Sequence, residues 1–234
     1  MNKEAYDAMI ALEEEHWWFK ARRKILCKVL SHLKVGRTFT EVGCGTGRNI
    51  DWLKSLGDTA GIEPSLKMIE YAQKKGHTNI INASFPTTIP REHTDNICLF
   101  DVLEHIEDDN RAIEHLSASQ VSGQRLFITV PAYQWLYGSH DISHHHYKRY
   151  SKRELVELLE RSNYRVIYKT SFNAFLLPIA IIKRLIDKVI PNTKEGSTGF
   201  VNAVLTRIFE SETHLYPRVS VPFGLSIMVV AEKR

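Results

Sequence analysis

Thr38-Phe39-Thr40-Glu41-Val42-Gly43-Cys44-Gly45-Thr46-Gly47-Arg48-Asn49 decides how the rest of the chain is read. A short β-rich run enters a turn with glycine at alternate positions, and a helical pattern carrying Ile50, Trp52 and Leu53 follows. Strand, glycine turn and helix form the opening unit of a parallel α/β sheet. Glycines in such a turn let the backbone pass close to a ligand, because a Cβ would block the approach. Taken alone, the loop suits a structural turn as well as a binding loop.

Downstream the same alternation continues. Asp58–Glu63 reads as a second strand, and Pro64-Ser65 opens a helix with Ser65 as its N-cap and Leu66, Ile69 and Ala72 inside. Further strand candidates are Asn79–Ala83, Asn96–Val102, Gln124–Val130, Tyr164–Ser171 and Phe223–Ala231. Asp108–Ser119 reads as a helix, as does the segment that Ser151 caps and that carries Leu155, Leu158 and Leu159. Residues 3–33 also look helical. Phe172 to Val221 breaks the alternation. It holds one pattern with Lys183, Arg184, Asp187 and Lys188 on one face and Ile181, Ile182, Leu185, Ile186 and Val189 on the other. A second pattern follows at Val201, Val204, Leu205, Ile208 and Phe209, so the stretch is read as a two-helix insertion. One domain is expected: a helical segment over 1–36, an α/β core over 37–171 and 222–234, and the insertion over 172–221.

The chain has 234 residues, 43% hydrophobic and 25% charged, which excludes a disordered chain, a collagenous repeat and a coiled-coil rod. Cys27, Cys44 and Cys98 cannot all pair and form no C-x-x-C. A disulfide scaffold or thiolate zinc site is therefore not expected, and a reducing, cytoplasmic setting is. The N-terminus is too acidic for a signal peptide. The longest apolar run, Ala174 to Ile182, spans nine residues and contains Pro178. A membrane span needs ~20. The net charge of +4 is unevenly placed: residues 1–139 carry −2, residues 140–194 carry +6, and residues 195–234 balance.

Glu63 lies 20 residues after Gly43, where an acid can accept hydrogen bonds from both ribose hydroxyls of an adenosine cofactor. A dinucleotide loop would place glycine at position 48, but the chain has Arg48 there. Glu41 stands two residues before the first glycine. An acid so close to the loop suits an amino group or a sulfonium charge and suits a pyrophosphate poorly. The pattern therefore points away from NAD and toward S-adenosylmethionine.

EVGCGTGRN, GIEPSLKMIEYA, FDVLEHIEDD and LFITVPAY follow in an order and spacing that resembles class I SAM-dependent methyltransferases. They look most like the branch containing the ubiquinone/menaquinone O-methyltransferases. The resemblance covers roughly residues 15–170 and the final strand. It implies an α/β, Rossmann-like fold: a doubly wound, seven-stranded, mostly parallel sheet with an antiparallel last strand, an N-terminal helical lid and a helical insertion before that strand. Carried over by motif, it implies that Gly43, Cys44, Gly45 and Gly47 line the methionine moiety and that Glu63 binds the ribose. Pro64 and Met68 would sit near the adenine, with Asn82 and Ala83 reading its amino group. Asp101 and Val102 would pass beside the transferable methyl. The cassette EEEHWWFKARR resembles a segment of a subset of these enzymes. There Trp18 and Phe19 would exclude water, and Arg22 would bind the cofactor carboxylate in a two-pronged geometry. An amphipathic helix with aromatic core residues accounts for the same cassette.

Methyl transfer needs an aligned nucleophile, exclusion of water and, for a hydroxyl acceptor, removal of a proton. Glu104 and His105 follow the fourth strand, at the mouth of the sheet. His105 is the first candidate base, with Glu104 orienting it. His146 is the second, in the H-x-x-R-Y-S-x-x-E-L run from His146 to Leu155, which resembles a post-strand motif of the same branch. Asp101-x-x-Glu104-His105 resembles an E-x-x-E-H pattern that holds a divalent ion in related sequences, with His146 or His140 as a further ligand. The first position is one methylene shorter here, and no metal is expected. The expected partner is a small-molecule, glycan or lipid-linked acceptor, with peripheral membrane contact through 172–194; nucleic acid is not expected. Two alternatives stand beside this reading: a metal-assisted RNA 2′-O-methyltransferase, and a SAM-binding regulatory protein without turnover.

Overall fold

The structure, a computed structural model, describes residues 10, 13, 16–33, 36–88, 94–189 and 199–234. Its centre is a seven-stranded sheet in the order β3-β2-β1-β4-β5-β7-β6. The strands are β1 (Thr38–Val42), β2 (Asp58–Glu63), β3 (Ile80–Asn82), β4 (Asn96–Phe100), β5 (Arg125–Pro131), β6 (Tyr164–Phe172) and β7 (Ser226–Lys233). β1 to β5 pair in parallel, and β7 runs antiparallel between β5 and β6.

Helices cover both faces, so the central strands must be apolar on both sides. All five residues of β4 are buried. Their alternation sorts them: Ile97 and Leu99 join one core, Cys98 and Phe100 the other. β7 divides the same way, with Ile227, Val229 and Ala231 on the first side and Met228 and Val230 on the second. The first core is closed by α4 (Asp109–Ser119) and α6 (Lys152–Arg161), through Ile113, Leu116, Leu155, Leu158 and Leu159. Ser151 caps α6 by accepting from the Glu154 amide, and Glu154 returns the bond to the Ser151 amide.

The second core is closed by α1 (Trp17–His32) and by α2 (Arg48–Leu53), through Ala21, Ile25, Leu26, Val29, Leu30 and Leu53. Of the helix expected over 3–33, positions 3–9, 11, 12, 14 and 15 lie outside the described residues. The described part is a packed layer of the core, with five side chains wholly buried. α3 (Leu66–Lys74) follows β2 with Ser65 as its N-cap, as its sequence implies. α5 (Ser139–Ser143) lies in the loop after β5.

Between β6 and β7 the chain forms α7 (Leu177–Val189) and α8 (Gly199–Ser211). Phe209 of α8 is buried and stacks on Phe172 with ring centroids 6.3 Å apart. Asn202 Oδ1 accepts from the Trp17 amide at 2.9 Å, and so satisfies a donor at the start of α1. The side chains of residues 185–189, among them Asp187 and Lys188, lie outside the described ones.

Candidate active site

The strand order reverses between β1 and β4, which opens a crevice at their carboxyl ends. The glycine loop leaves β1 at this point. Gly43, Gly45 and Gly47 have φ of 68°, 53° and 79°, in the left-handed region that L side chains avoid. A Cβ on Gly43 would lie 2.9 Å from Val102 Cγ2, and one on Gly47 would lie 2.6 Å from His77 Cδ2. A Cβ on Gly45 would meet nothing within 4 Å. The outer two glycines thus answer to packing, and Gly45 alone borders open space. Cys44 turns its side chain into the core, where burial raises the thiol far above its ordinary range, so only its backbone faces the loop.

Two acids flank the loop. Glu41 is buried; its Oε1 accepts from Asn49 Nδ2 at 2.6 Å, and its Oε2 makes no hydrogen bond among the described residues. Burial pushes this carboxyl up to about 8 against the opposing pull of Asn49. Glu63 accepts from the Gly45 amide and the Ser65 amide, each at 2.9 Å. Burial raises Glu63 too, and those two amides restrain the rise. Beside it, Asn82 Nδ2 donates to the Glu63 and Pro64 carbonyls at 3.1 Å, leaving Oδ1 as the atom suited to an adenine amino group. Met68 is buried behind an exposed Pro64, and the Ala83 amide bonds the Glu63 carbonyl at 3.3 Å.

The N-terminal segment closes this crevice with charge. Arg22 Nη2 lies 2.7 Å from Asp101 Oδ2, and its guanidinium sits 4.8 Å from the Trp18 ring centroid and 5.8 Å from that of Phe100. Phe19 meets Trp18 edge-on at 4.9 Å. Asp101 itself has φ of 57°, which ends β4 at Phe100 rather than at Val102. Glu13, unassigned by sequence reasoning, accepts from Thr46 Oγ1 in the glycine loop, and Arg23 Nη1 donates to its carbonyl at 3.0 Å. Two buried polar atoms therefore lack partners among the described residues here, Glu41 Oε2 and Arg22 Nε. An unpartnered acid and an unpartnered guanidinium nitrogen around an open glycine fit a cofactor that carries both an ammonium or sulfonium and a carboxylate.

Glu104 and His105 form a short 3-10 turn after β4. Glu104 is buried, and its Oε2 has no hydrogen-bond partner among the described residues. Burial, then the nearby Asp101, raises its carboxyl well above the ordinary range. Among the described residues no hydrogen bond joins it to His105. Instead the His105 ring meets His146 edge-on at 4.7 Å. Desolvation of its packed side, and then His146, lower His105 to about 4 although the residue as a whole is exposed. His146 is the histidine that a carboxylate holds: its Nδ1 lies 2.9 Å from Asp141 Oδ1.

Asp141 is fully buried and collects Arg149 Nε at 2.8 Å and the Gly138 amide at 2.9 Å, with Arg184 of α7 at 3.6 Å. Against its burial, the bonds from His146 and Arg149 hold its carboxyl well below the usual range. Glu104, His105 and His146 each offer a ligand atom, and these atoms lie within 4.8 Å of one another. The three residues could hold a divalent cation as one carboxylate and two imidazoles. The His140 and His144 rings lie 4.1 Å apart at a tilt of 35°, with His144 exposed.

Sequence reasoning paired Glu104 with His105 and offered His146 or His140 as a further ligand, and the fold gathers Glu104, His105 and His146. It passed over Asp141, whose only signal is a position five residues before His146, and His77, which supports the loop by filling the space beside Gly47.

No curated protein matches the chain. Solved structures do. A SAM-dependent methyltransferase from Archaeoglobus fulgidus is 16% identical, with 97% of this chain and 99% of that one covered at a TM-score of 0.57. One from Clostridium acetobutylicum is 12% identical, with 99% of each chain covered and a TM-score of 0.58. The N-methyltransferase NodS from Bradyrhizobium japonicum, in complex with S-adenosylhomocysteine, is 13% identical over 94% of this chain and 90% of that one, at 0.59. At these identities the likeness is one of fold. A family model described as a methyltransferase domain matches residues 15–169, which takes in the glycine loop, both acids and the histidine cluster. The chain therefore belongs to the methyltransferase-domain family, with the fold of the SAM-dependent enzymes.

Proposed function

We propose that the protein transfers the methyl group of S-adenosylmethionine to a hydroxyl of a small-molecule, glycan or lipid-linked acceptor, with His146 as the base. The observation that carries this reading is the Asp141–His146 pair at 2.9 Å, whose imidazole meets His105 in the turn that follows β4. A carboxylate that accepts from Nδ1 fixes the imidazole tautomer and leaves Nε2 as the proton acceptor. His105, which holds a proton only below about 4, is a weak acceptor at neutral pH and serves better as a wall of the pocket.

When bound, the cofactor supplies an electrophilic methyl group on a sulfonium. The chain's own residues do the rest. Gly45 lets the backbone approach, Glu41 faces the positive charge, and Arg22 offers Nε to the carboxylate. Glu63 and Asn82 mark the ribose and adenine ends, Met68 and Pro64 the adenine wall, and Trp18 and Phe19 keep water out. His146 accepts the proton from the acceptor hydroxyl as the displacement proceeds.

Transfer of tritiated methyl from S-adenosylmethionine into lipid, glycan and RNA fractions tests the reading. It is upheld by label in lipid or glycan that His146→Asn abolishes without loss of S-adenosylhomocysteine binding. Cofactor binding without transfer to any fraction would overturn it.

A second reading rests on the Glu104, His105 and His146 cluster, whose ligand atoms lie within 4.8 Å of one another. A divalent ion held there would lower the hydroxyl's pKa directly, with Asp141 as the outer partner that orients the His146 ligand.

A further inference from the structure

The insertion turns its apolar side outward. Phe175, Ile179 and Ile182 recur at helical spacing through the start of α7, and they are 50%, 54% and 59% exposed. Their neighbour Leu176 is buried, and Arg184 points back to Asp141. A helix that rested on the core only through its apolar face would show the opposite pattern. α8 repeats the arrangement: Phe200 is 80% exposed, Val201 and Val204 are exposed beside it, and exposed Arg207 continues the same face one turn on. Large exposed apolar side chains on both helices of the insertion mark surface that meets something other than water.

We propose that this insertion seats the protein on an anionic bilayer surface, with Phe175, Ile179, Ile182 and Phe200 entering the boundary between headgroups and acyl chains. Charge selects this occupant. The described cations beside the exposed apolar side chains are Lys183 and Arg207, which an anionic headgroup layer attracts and the same face of a second copy would meet with like charge. α7 has 13 residues, too few to span the ~20-residue thickness of a bilayer core, so the helix lies in the interface. Exposed Lys183 adjoins the apolar stripe of α7 and Arg207 that of α8, where long basic side chains reach phosphate while their stems stay apolar. Because Arg184 links α7 to the carboxylate that holds His146, the docked face adjoins the candidate active site. The docking stands independently of the proposed reaction.

Flotation of the full chain with two kinds of vesicle tests the proposal: phosphatidylcholine alone, and phosphatidylcholine with phosphatidylglycerol. The protein should float with the anionic vesicles and bind the neutral ones far less. Phe175→Ser combined with Ile179→Ser and Ile182→Ser should lower the bound fraction by about tenfold or more, with an unchanged thermal unfolding midpoint. Phe200→Ser, at the most exposed of these positions, should give a smaller loss and serves if the triple variant fails to fold. Failure of the intact protein to float with either vesicle, or equal flotation of the variants, overturns the proposal. So does a protein that never floats and forms a dimer that the same substitutions dissociate.

Discussion

Arg22 and Asp101 meet at 2.7 Å where α1 crosses the carboxyl end of β4, and both side chains are largely withdrawn from water. The pair joins the N-terminal helix to the crevice through charge as well as through packing. Its energetic meaning is asymmetric: removing one partner strands the other, whereas removing both costs far less. Asp101→Asn is expected to destabilise the protein by about 3 kcal/mol. Adding Arg22→Met to that variant should restore part of the loss. Urea unfolding of the three proteins decides it, and equal stability of the two variants would show that the pair carries no coupling.

The three loop glycines should respond differently to a side chain. Gly45→Val places its Cβ in open space, so its structural cost is the left-handed backbone alone, about 1–2 kcal/mol. Gly43→Val adds a clash with Val102 and should be the less stable protein. Calorimetry with S-adenosylhomocysteine should show that folded Gly45→Val has lost binding by about a hundredfold or more. Retained tight binding would remove Gly45 from the cofactor site.

Glu41 gives stability a pH dependence of known sign. Its pKa is 4.5 as an ordinary glutamate and about 8 when folded, so the folded state holds a proton that the unfolded state releases between these values. This contribution is therefore fully present below 4.5 and is lost progressively as pH rises toward 8. Glu41→Gln keeps an oxygen for Asn49 and removes the titration. Its unfolding free energy should fall less over this range, by on the order of 3 kcal/mol. Parallel pH profiles for the two proteins would contradict the assignment.

On the metal reading, Mn2+ should bind the free enzyme at one site per chain, and Glu104→Gln should abolish the binding. Asp141→Asn leaves all three ligands in place but loosens His146, and should weaken affinity about 10–100-fold. Titration followed by electron paramagnetic resonance reads both effects without any methyl acceptor. Unaltered Mn2+ binding in Glu104→Gln would place the ion elsewhere.

Much of the fold is legible in the residues because it depends on local chemistry. β2 occupies Asp58–Glu63, the span its pattern implies, and Ser65 and Ser151 cap the helices they precede. β4 stops two residues earlier than its apolar run, since Asp101 leaves the strand with positive φ, a backbone choice that composition does not encode. The candidate site divides along the same line. The glycines and Glu63 announce themselves by spacing. Glu13 and Asp141 act across folds of the chain, on Thr46 33 residues away and on Arg184 of the insertion, and no local pattern marks such partners. Glu104 and His105 are adjacent in sequence and their ligand atoms lie within 4.8 Å of each other, yet the carboxylate that bonds a histidine comes from the loop after β5, as Asp141 on His146.

The place of β7 in the sheet bears on how the molecule is made. β7, made after β5 and β6, lies between them in the sheet. Among the described residues β6 pairs with β7 alone, so until β7 emerges β6 has no strand beside it and one edge of β5 stays unpaired. Assembly of this half of the sheet must therefore wait until β7 has been synthesised. A nascent chain halted before Ser226 exposes an unpaired edge, the form most open to chaperones and to aggregation.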